Sequence, residues 1–329
     1  MNIVMATSNL YSHPALVTIR SLLMNNTEAD EISIHYIGNG ISEDNKKMLT
    51  ELVENFGRKI VFYPMPESLR EIKGLSRTDP VVYSYCFLQE ILPESIDRAL
   101  LLEADCIVAD SLQELYSTDL TGCCLAASDD GQSKWYKRKL GLKDGSVYHN
   151  SGVLLFNLAE MRKIGFTEKI RAVIEAGNSK FFYEVQDELN AALEGRIKTI
   201  PPRFNCTTAL FLFDYKNMLR YRRPSTVCTE EEFKTAREHP VVIHFTKNQI
   251  IQARPWIRDC VHPYNDLYLR IKEGTVLRDE PLWESGRGRI NRLACRVYEK
   301  APKALTAWGL GLVHAFLYPV FLYRIMMKK

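Results

Sequence analysis

The sequence carries neither a G-x-x-x-x-G-K-[ST] cradle nor a G-x-G-x-x-G turn. A phosphate-handling protein without a glycine-built anion nest has to neutralise its ligand with a metal, with basic side chains or with both. The eight cysteines include no C-x-x-C pair and no metal-ligand spacing, which leaves no basis for a zinc or dithiol site and fits a reducing, cytosolic compartment. Cys106 and Cys123, flanked by apolar residues, read as core positions. The apolar run after Met1 is only Ile3-Val4-Met5-Ala6, too short for a secretory leader and better read as a first strand. There is no internal repeat and no low-complexity tract. What remains is ordinary globular composition: 329 residues, 46% apolar and 25% charged, enough for one large core or two domains.

Charge is unevenly spread. From Arg287 to the end there are nine lysines and arginines against Glu299 alone, a net +8, so residues 1–286 carry −5 of the overall +3. A mildly acidic body with a basic tail suits an anionic partner. Residues 304–323, ALTAWGLGLVHAFLYPVFLY, contain no Asp, Glu, Lys or Arg. Twenty uncharged residues are long enough to span a bilayer. Both flanks are basic, however, and Gly309, Gly311 and Pro319 interrupt the run, so an in-plane or partly inserted anchor on anionic lipid is expected, with Arg287–Lys303 as its electrostatic partner. An apolar helix docked on the body or on a partner subunit is the other reading. Nucleic acid is not an expected partner, because the basic stretch runs straight into an apolar one.

Along the body, strand-like runs alternate with helical patterns. Ile3–Ala6, Ile32–Ile37, Ile60–Tyr63, Ala99–Leu102 and Val153–Phe156 read as strands. Leu16, Ile19 and Leu23 recur at helical spacing, and Ser42 caps a helix with Glu43 and Asp44 in its first turn and Leu49, Leu52, Val53 and Phe56 on one face. A further helix is expected over Val81–Leu92, ending before Pro93. This alternation implies βαβ units and an α/β fold with a mainly parallel central sheet.

Four motifs carry chemistry. Ala99-Leu-Leu-Leu-Glu103-Ala104-Asp105 puts two carboxylates at i and i+2 just past a buried strand. On an extended segment both point to one side, an oxygen-rich notch for a hard divalent cation, or by itself a solvated turn. His149-Asn150-Ser151-Gly152 feeds the apolar strand ending at Asn157, with Gly152 allowing close approach of a ligand or another backbone. Val241–Phe245 places His244 at a strand end, followed by Lys247 and Arg254, which offers a metal ligand and two cations for a pyrophosphate. Gln186-Asp187 opens a helix whose apolar face is Leu189, Ala192 and Leu193; an Asp there is often only a cap.

These elements, in this order, resemble glycosyltransferase family 8, the retaining GT-A type enzymes, and in particular the bacterial lipo-oligosaccharide galactosyl- and glucosyltransferases. The likeness covers residues 1–273 and includes Asn9 and Tyr11 in the opening, Gly40-Ile41-Ser42-Glu43, Leu101–Asp105, Asp119-Leu-Thr-Gly122, Asn150–Asn157, Gln186-Asp187, His244 and Arg254-Pro255-Trp256. It implies a GT-A, Rossmann-like nucleotide-sugar-binding catalytic domain over 1–273, with 274–329 as a basic and apolar helical tail for membrane association. It implies a UDP-sugar donor, a cell-surface or lipid-linked glycan acceptor, and a cytoplasmic enzyme held peripherally on the inner face of the plasma membrane. Glu103, Asp105 and His244 would ligate Mn²⁺ or Mg²⁺, Glu103 standing where the family has its first Asp. Tyr11 would stack on the uracil. Lys247 and Arg254 would meet the diphosphate, and Asn150 with Asp129 or Asp130 the sugar. Ala6, Ser8, Arg77, Ala104 and Ser151 complete the implied donor contacts. Gln186, Asp187 and Asp105 would be the catalytic set, Gln186 facing the anomeric carbon. Its amide is a poor nucleophile, which favours same-face substitution through an oxocarbenium-like ion pair. The chain departs from the family pattern at Ser8, Leu10, Tyr85, Glu103 and Val185. Those departures leave a second reading beside the first, a GT-A-like nucleotide- or glycan-binding protein with weak or no transfer activity that partners an active transferase.

Overall fold

The structure, a computed structural model, describes residues 1–71, 79–177, 181–248 and 250–317. Its main sheet has seven strands in the order β3-β2-β1-β4-β7-β6-β8. These are β1 Asn2–Ser8, β2 Ser33–Asn39, β3 Lys59–Pro64, β4 Arg98–Leu102, β6 Leu125–Ser128, β7 Val153–Asn157 and β8 Ile197–Ile200. β3, β2, β1 and β4 are parallel; β7 runs antiparallel between β4 and β6, and β8 is parallel to β6. A second, three-stranded sheet pairs β5 Cys106–Val108 with β10 Val242–His244 and β9 Cys206–Thr207. The mainly parallel α/β expectation therefore holds, with the one antiparallel strand in the middle.

β4 reads Arg-Ala-Leu-Leu-Leu, and Ala99–Leu102 have no exposed surface. A strand buried on both faces needs such a run, and each buried leucine contributes ~1.5–3 kcal/mol. Leu101 joins the apolar cluster on one face and Leu100 and Leu102 the cluster on the other. Helix Ser12–Met24 covers the second face and tolerates Pro14 because it lies in the first turn. Ser42 caps helix Glu43–Asn55, its Oγ accepting from the Asn45 amide.

Three expectations are corrected. Val81–Leu92 is not one helix: Pro80–Phe87 is a 3₁₀ helix, followed by one α turn over Leu88–Ile91. Asp79 caps it through Val81 N, and the whole segment packs into the core, so burial overrides regular α geometry. Cys123 is only half-buried, whereas Cys106 is fully buried. The Glu103–Asp105 segment is a turn rather than an extended strand, because the chain there leaves the large sheet for the small one.

The C-terminal part forms helices Arg289–Lys300 and Lys303–Leu312, then a short π-helical turn over Val313–Leu317. Among the described residues no helix is long and apolar enough to cross a membrane; residues 318–323 of the uncharged stretch lie outside them.

Candidate active site

The site forms where the two sheets meet. β4 ends at Leu102, the chain turns through Glu103-Ala104-Asp105, and β5 begins at once, pairing in register so that Cys106 faces His244 of β10. The turn is fixed from both sides: the Glu103 amide donates to Gly152 O (2.9 Å), and the Phe245 amide donates to Asp105 O (2.8 Å). Ala104 is buried, its carbonyl accepting from Thr18 Oγ1. The result brings both carboxylates to one imidazole. His244 Nε2 lies 3.2 Å from Glu103 Oε2 and 3.1 Å from Asp105 Oδ1.

The imidazole is held by what surrounds it. Its Nδ1 pairs with Asn205 Oδ1 at 2.9 Å, which leaves Nε2 to face the carboxylates. The ring lies close against Gly152: a Cβ there would sit 2.0 Å from His244 Cε1. The close approach expected at Gly152 is thus made by this imidazole. Burial would lower the His244 pKa, but Asp105 and Glu103 outweigh it and push it up to about 10. Burial would likewise raise Asp105, but His244 and Arg254 hold it below the usual carboxylate range.

Two carboxylates and an imidazole with its second nitrogen tied down form a hard donor set that fits Mn²⁺ or Mg²⁺. Among the described residues the ligand atoms that come within 4.8 Å of one another are those of Asp105, Cys106 and His244; Glu103, expected as a third ligand, reaches His244 Nε2 but falls outside that group. Burial beside Asp105 and Glu103 raises the Cys106 thiol well above its ordinary value, so it stays neutral and soft and suits such a cation less.

Arg254 closes one side. It donates to Asp105 Oδ2 (3.2 Å) and to the Tyr11 hydroxyl (2.9 Å), and its guanidinium lies 5.5 Å from the Trp256 ring centre. Tyr11 meets Trp256 and Trp283 edge-on. Lys247 is exposed and makes no ion pair among the described residues. Arg77 lies outside the described residues. Ala6 is buried at the end of β1, where its carbonyl is 3.5 Å from the Tyr85 hydroxyl, and Ser8 ends that strand half-buried. Tyr85 and Val185 are buried in one apolar cluster.

On the other side stands a wall of amides. Asn150 Oδ1 accepts from Gly152 N and from Asn205 Nδ2, and Asn150 Nδ2 donates to Asp130 Oδ1 (3.3 Å). Asp130 also accepts from Arg222 Nη2 at 3.0 Å, a pair that is almost fully buried. Burial raises Asp129 to about 6, although its Oδ1 accepts from Gly131 N. Gln186 points its Oε1 at Ser151 N (3.1 Å) and its Nε2 at the Tyr148 hydroxyl (3.1 Å). It follows Glu184, a non-glycine residue at φ 47°, the kind of outlier that costs ~1–3 kcal/mol and gathers at functional sites.

Asp187 sits differently from the sequence expectation. It has no exposed surface, and its carboxylate accepts from the Tyr136 and Tyr148 hydroxyls and from the amides of Phe182 and Tyr183. That is the bonding of an anchor. Tyr136, Tyr148, Asn205 and Arg222 were not identified from sequence; isolated tyrosines and asparagines carry no spacing signal, and only the fold brings them to this point.

The profile of Glycosyl transferase family 8 matches residues 2–260. General stress protein A of Bacillus subtilis (strain 168) is 28% identical over 272 residues, 82% of this chain and 91% of that protein. A lipopolysaccharide 1,2-glucosyltransferase of Escherichia coli is 28% identical over 220 residues, 65% of each. Among solved structures, galactosyltransferase LgtC in complex with donor and acceptor sugar analogs matches with a TM-score of 0.70 and 27% identity, over 84% of this chain and 96% of that one.

Proposed function

The chain belongs to glycosyl transferase family 8 and has the GT-A fold, and from that premise we propose that it moves a hexose, glucose or galactose, from a UDP-sugar to a cell-surface or lipid-linked glycan acceptor with retention of configuration. The observation that carries this reading is that Glu103 Oε2 and Asp105 Oδ1 each lie within 3.2 Å of His244 Nε2, with Arg254 paired to Asp105. Mn²⁺ or Mg²⁺ held by these three would supply Lewis-acid stabilisation of the departing diphosphate. Arg254 adds a second positive charge on the same side, and Tyr11, walled by Trp256 and Trp283, offers a face to the uracil. Lys247, exposed, would turn toward the diphosphate, and Ala6, Ser8, Arg77, Ala104 and Ser151 are the further donor contacts of this proposal.

Asn150, with Asp130 and Asp129 behind it, presents polar groups to the donor sugar. Gln186 is fixed at both ends by Ser151 and Tyr148, so its amide stays aimed rather than swinging. An amide held this way stabilises an oxocarbenium-like ion pair and lets the acceptor enter on the face the nucleotide leaves. Asp187, with both oxygens taken by protein donors, acts through Tyr148 as a positioning residue.

Residues 1–273 form the catalytic unit in this reading, and 274–329 a membrane-association segment. The latter carries exposed Leu293, Val297, Leu305 and Trp308 next to exposed Arg292, Arg296 and Lys300, a pairing that suits an anionic phospholipid surface. The enzyme would then work on the cytoplasmic face of the plasma membrane, where lipid-linked acceptors lie. A second reading, a nucleotide- or glycan-binding partner of an active transferase, draws on Tyr85 and Val185, two departures from the family pattern that are buried in one apolar cluster.

Titration calorimetry and hydrolysis assays with a panel of UDP-sugars, with and without Mn²⁺, test the proposal. Cation-dependent binding followed by release of free hexose is expected, and Asp105→Ala with His244→Ala should abolish the cation's effect. Binding without hydrolysis or transfer favours the second reading; no binding of any UDP-sugar refutes the transferase reading and the nucleotide-binding form of the second.

A further inference from the structure

The C-terminal segment is built into the sugar side of the site. Helix Lys303–Leu312 buries Ala307 in a cluster with Leu212, Phe213, Met218 and Tyr221. Its Gly311 lies so close to helix Tyr215–Arg222 that a Cβ would fall 2.3 Å from the Arg220 carbonyl oxygen. The chain then turns, and the half-buried His314 places Nε2 3.2 Å from Arg222 Nη1, its ring tilted on Tyr221 at 5.1 Å between centres. One residue on, the Ala315 carbonyl accepts from Ser133 Oγ at 3.1 Å. Phe316 lies 6.0 Å from the Trp135 ring.

Both contacts converge on one loop. Arg222 spends its other nitrogen on Asp130, the carboxylate that accepts from Asn150, and Ser133 closes the same loop. His314 is kept neutral by burial and by Arg222, with a pKa of about 3, so its Nε2 is an acceptor for the guanidinium and not a competing cation.

We propose that Val313–Phe316 is a positioning element for sugar transfer: His314 orients Arg222, Arg222 orients Asp130, and the loop 129–133 is thereby fixed against Asn150. His314 and Arg222 touch no substrate in this arrangement and act through Asp130. The functional half of this inference rests on the reading of Asn150 and Asp130 as donor-sugar contacts; the structural half does not.

The test uses full-length protein, the His314→Ala and His314→Gln variants, and a chain truncated after Leu312, which keeps the packed helix. Hydrogen exchange should accelerate about tenfold or more at the Asp130 and Gly131 amides in His314→Ala and in the truncation, with β1 and β4 amides unchanged. Calorimetry with UDP plus Mn²⁺ should give a Kd within twofold of the parent. Hydrolysis of UDP-glucose or UDP-galactose should lose about tenfold in kcat in His314→Ala and regain most of it in His314→Gln, whose side-chain oxygen can again accept from Arg222. Unchanged exchange in the 129–133 loop overturns the proposal. So does a loss of UDP affinity that parallels the loss of hydrolysis, since that is a general unfolding effect. If the parent neither hydrolyses a donor nor transfers from it, the transferase reading fails, and the exchange measurement alone decides whether the segment holds the loop.

Discussion

Gly152→Ala puts the geometry of the notch to its sharpest test. Gly152 does not sit at positive φ, so alanine meets no backbone penalty there. The whole effect comes from the Cβ, which would lie 2.0 Å from His244 Cε1 and 2.4 Å from Nδ1. The imidazole has to shift by more than an ångström, and in doing so loses Asn205 on one side and the two carboxylates on the other. Overpacking costs ~1–3 kcal/mol, and disturbing a buried, hydrogen-bonded charge pair adds to it. A loss of about 3 kcal/mol follows, or roughly 4–5 °C in melting temperature for a chain of this length. Misorienting a ligand histidine should also cost ~10–100-fold in Mn²⁺ affinity, read as the Mn²⁺ concentration needed for half-maximal UDP binding. The clash is with the ring itself, so the double variant Gly152→Ala/His244→Ala should be little less stable than His244→Ala alone, a strongly non-additive cycle. A Gly152→Ala protein that melts with the parent and keeps its Mn²⁺ dependence, or a cycle that adds, would refute the account.

Three further outcomes are expected. A His244 pKa raised to about 10 means that the folded state holds this proton more tightly than the unfolded chain. The stabilisation is therefore complete below about pH 6.5 and is lost as pH rises through about 10. Guanidinium melts over pH 6–10 should show the slope in the parent and lose most of it in His244→Gln. The same proton competes with a cation for Nε2, so Mn²⁺ affinity should climb across that window. Asp187→Asn puts an amide donor among four donors and should cost about 2–3 kcal/mol, seen in the denaturation midpoint, together with a fall in donor-hydrolysis kcat larger than any change in KM; an unchanged midpoint removes the anchor role. Arg292→Glu with Arg296→Glu should weaken sedimentation with phosphatidylglycerol vesicles at least roughly thirtyfold, at ~1 kcal/mol per cation near the surface, without lowering the melting temperature, since both side chains are exposed. Binding to neutral vesicles that equals binding to anionic ones would remove the electrostatic part of the membrane reading.

The readable part of this protein was periodicity and end signals. β1, β2, β3, β4 and β7 lie where the apolar runs predict them, and Ser42 caps its helix through a hydrogen bond to Asn45. Two kinds of information were out of reach. One is local geometry under burial: Pro80–Phe87 takes 3₁₀ form because it has to fit Val81, Tyr83 and Tyr85 into the core under the sheet, a tertiary demand that propensity does not register. The other is the long-range amide. Asn205 precedes a two-residue strand and has no spacing to any motif, yet it is the residue that sets which nitrogen His244 offers. Pairing β9 and β10 in parallel, with Cys206 beside Ile243, is what brings it there.

The direction of the hydrogen bonds explains why the tail matters to a site some way from it. His244 Nδ1 faces Asn205 Oδ1, Asn205 donates to Asn150, and Asn150 donates to Asp130. From the opposite end Arg222 gives one N–H to Asp130 and another to His314. Asp130 is thus the acceptor on which a run of donors from the notch and a guanidinium braced by the C-terminal segment both end. Such a run polarises in one sense only. If a cation takes Nε2, the imidazole keeps its Nδ1 proton and the order of the run is unchanged, so the wall facing the sugar need not rearrange when the metal arrives. In Asp130→Asn the oxygen that accepts from both Asn150 and Arg222 can be kept, but the new N–H₂ replaces the oxygen that accepts from Gln132 Nε2, and the buried Arg222 guanidinium loses its carboxylate partner. The cost should therefore exceed that of Asn150→Ala at the other end of the same hydrogen bond, and a denaturation series in which Asn150→Ala is the more damaging change would show that the run does not end on Asp130.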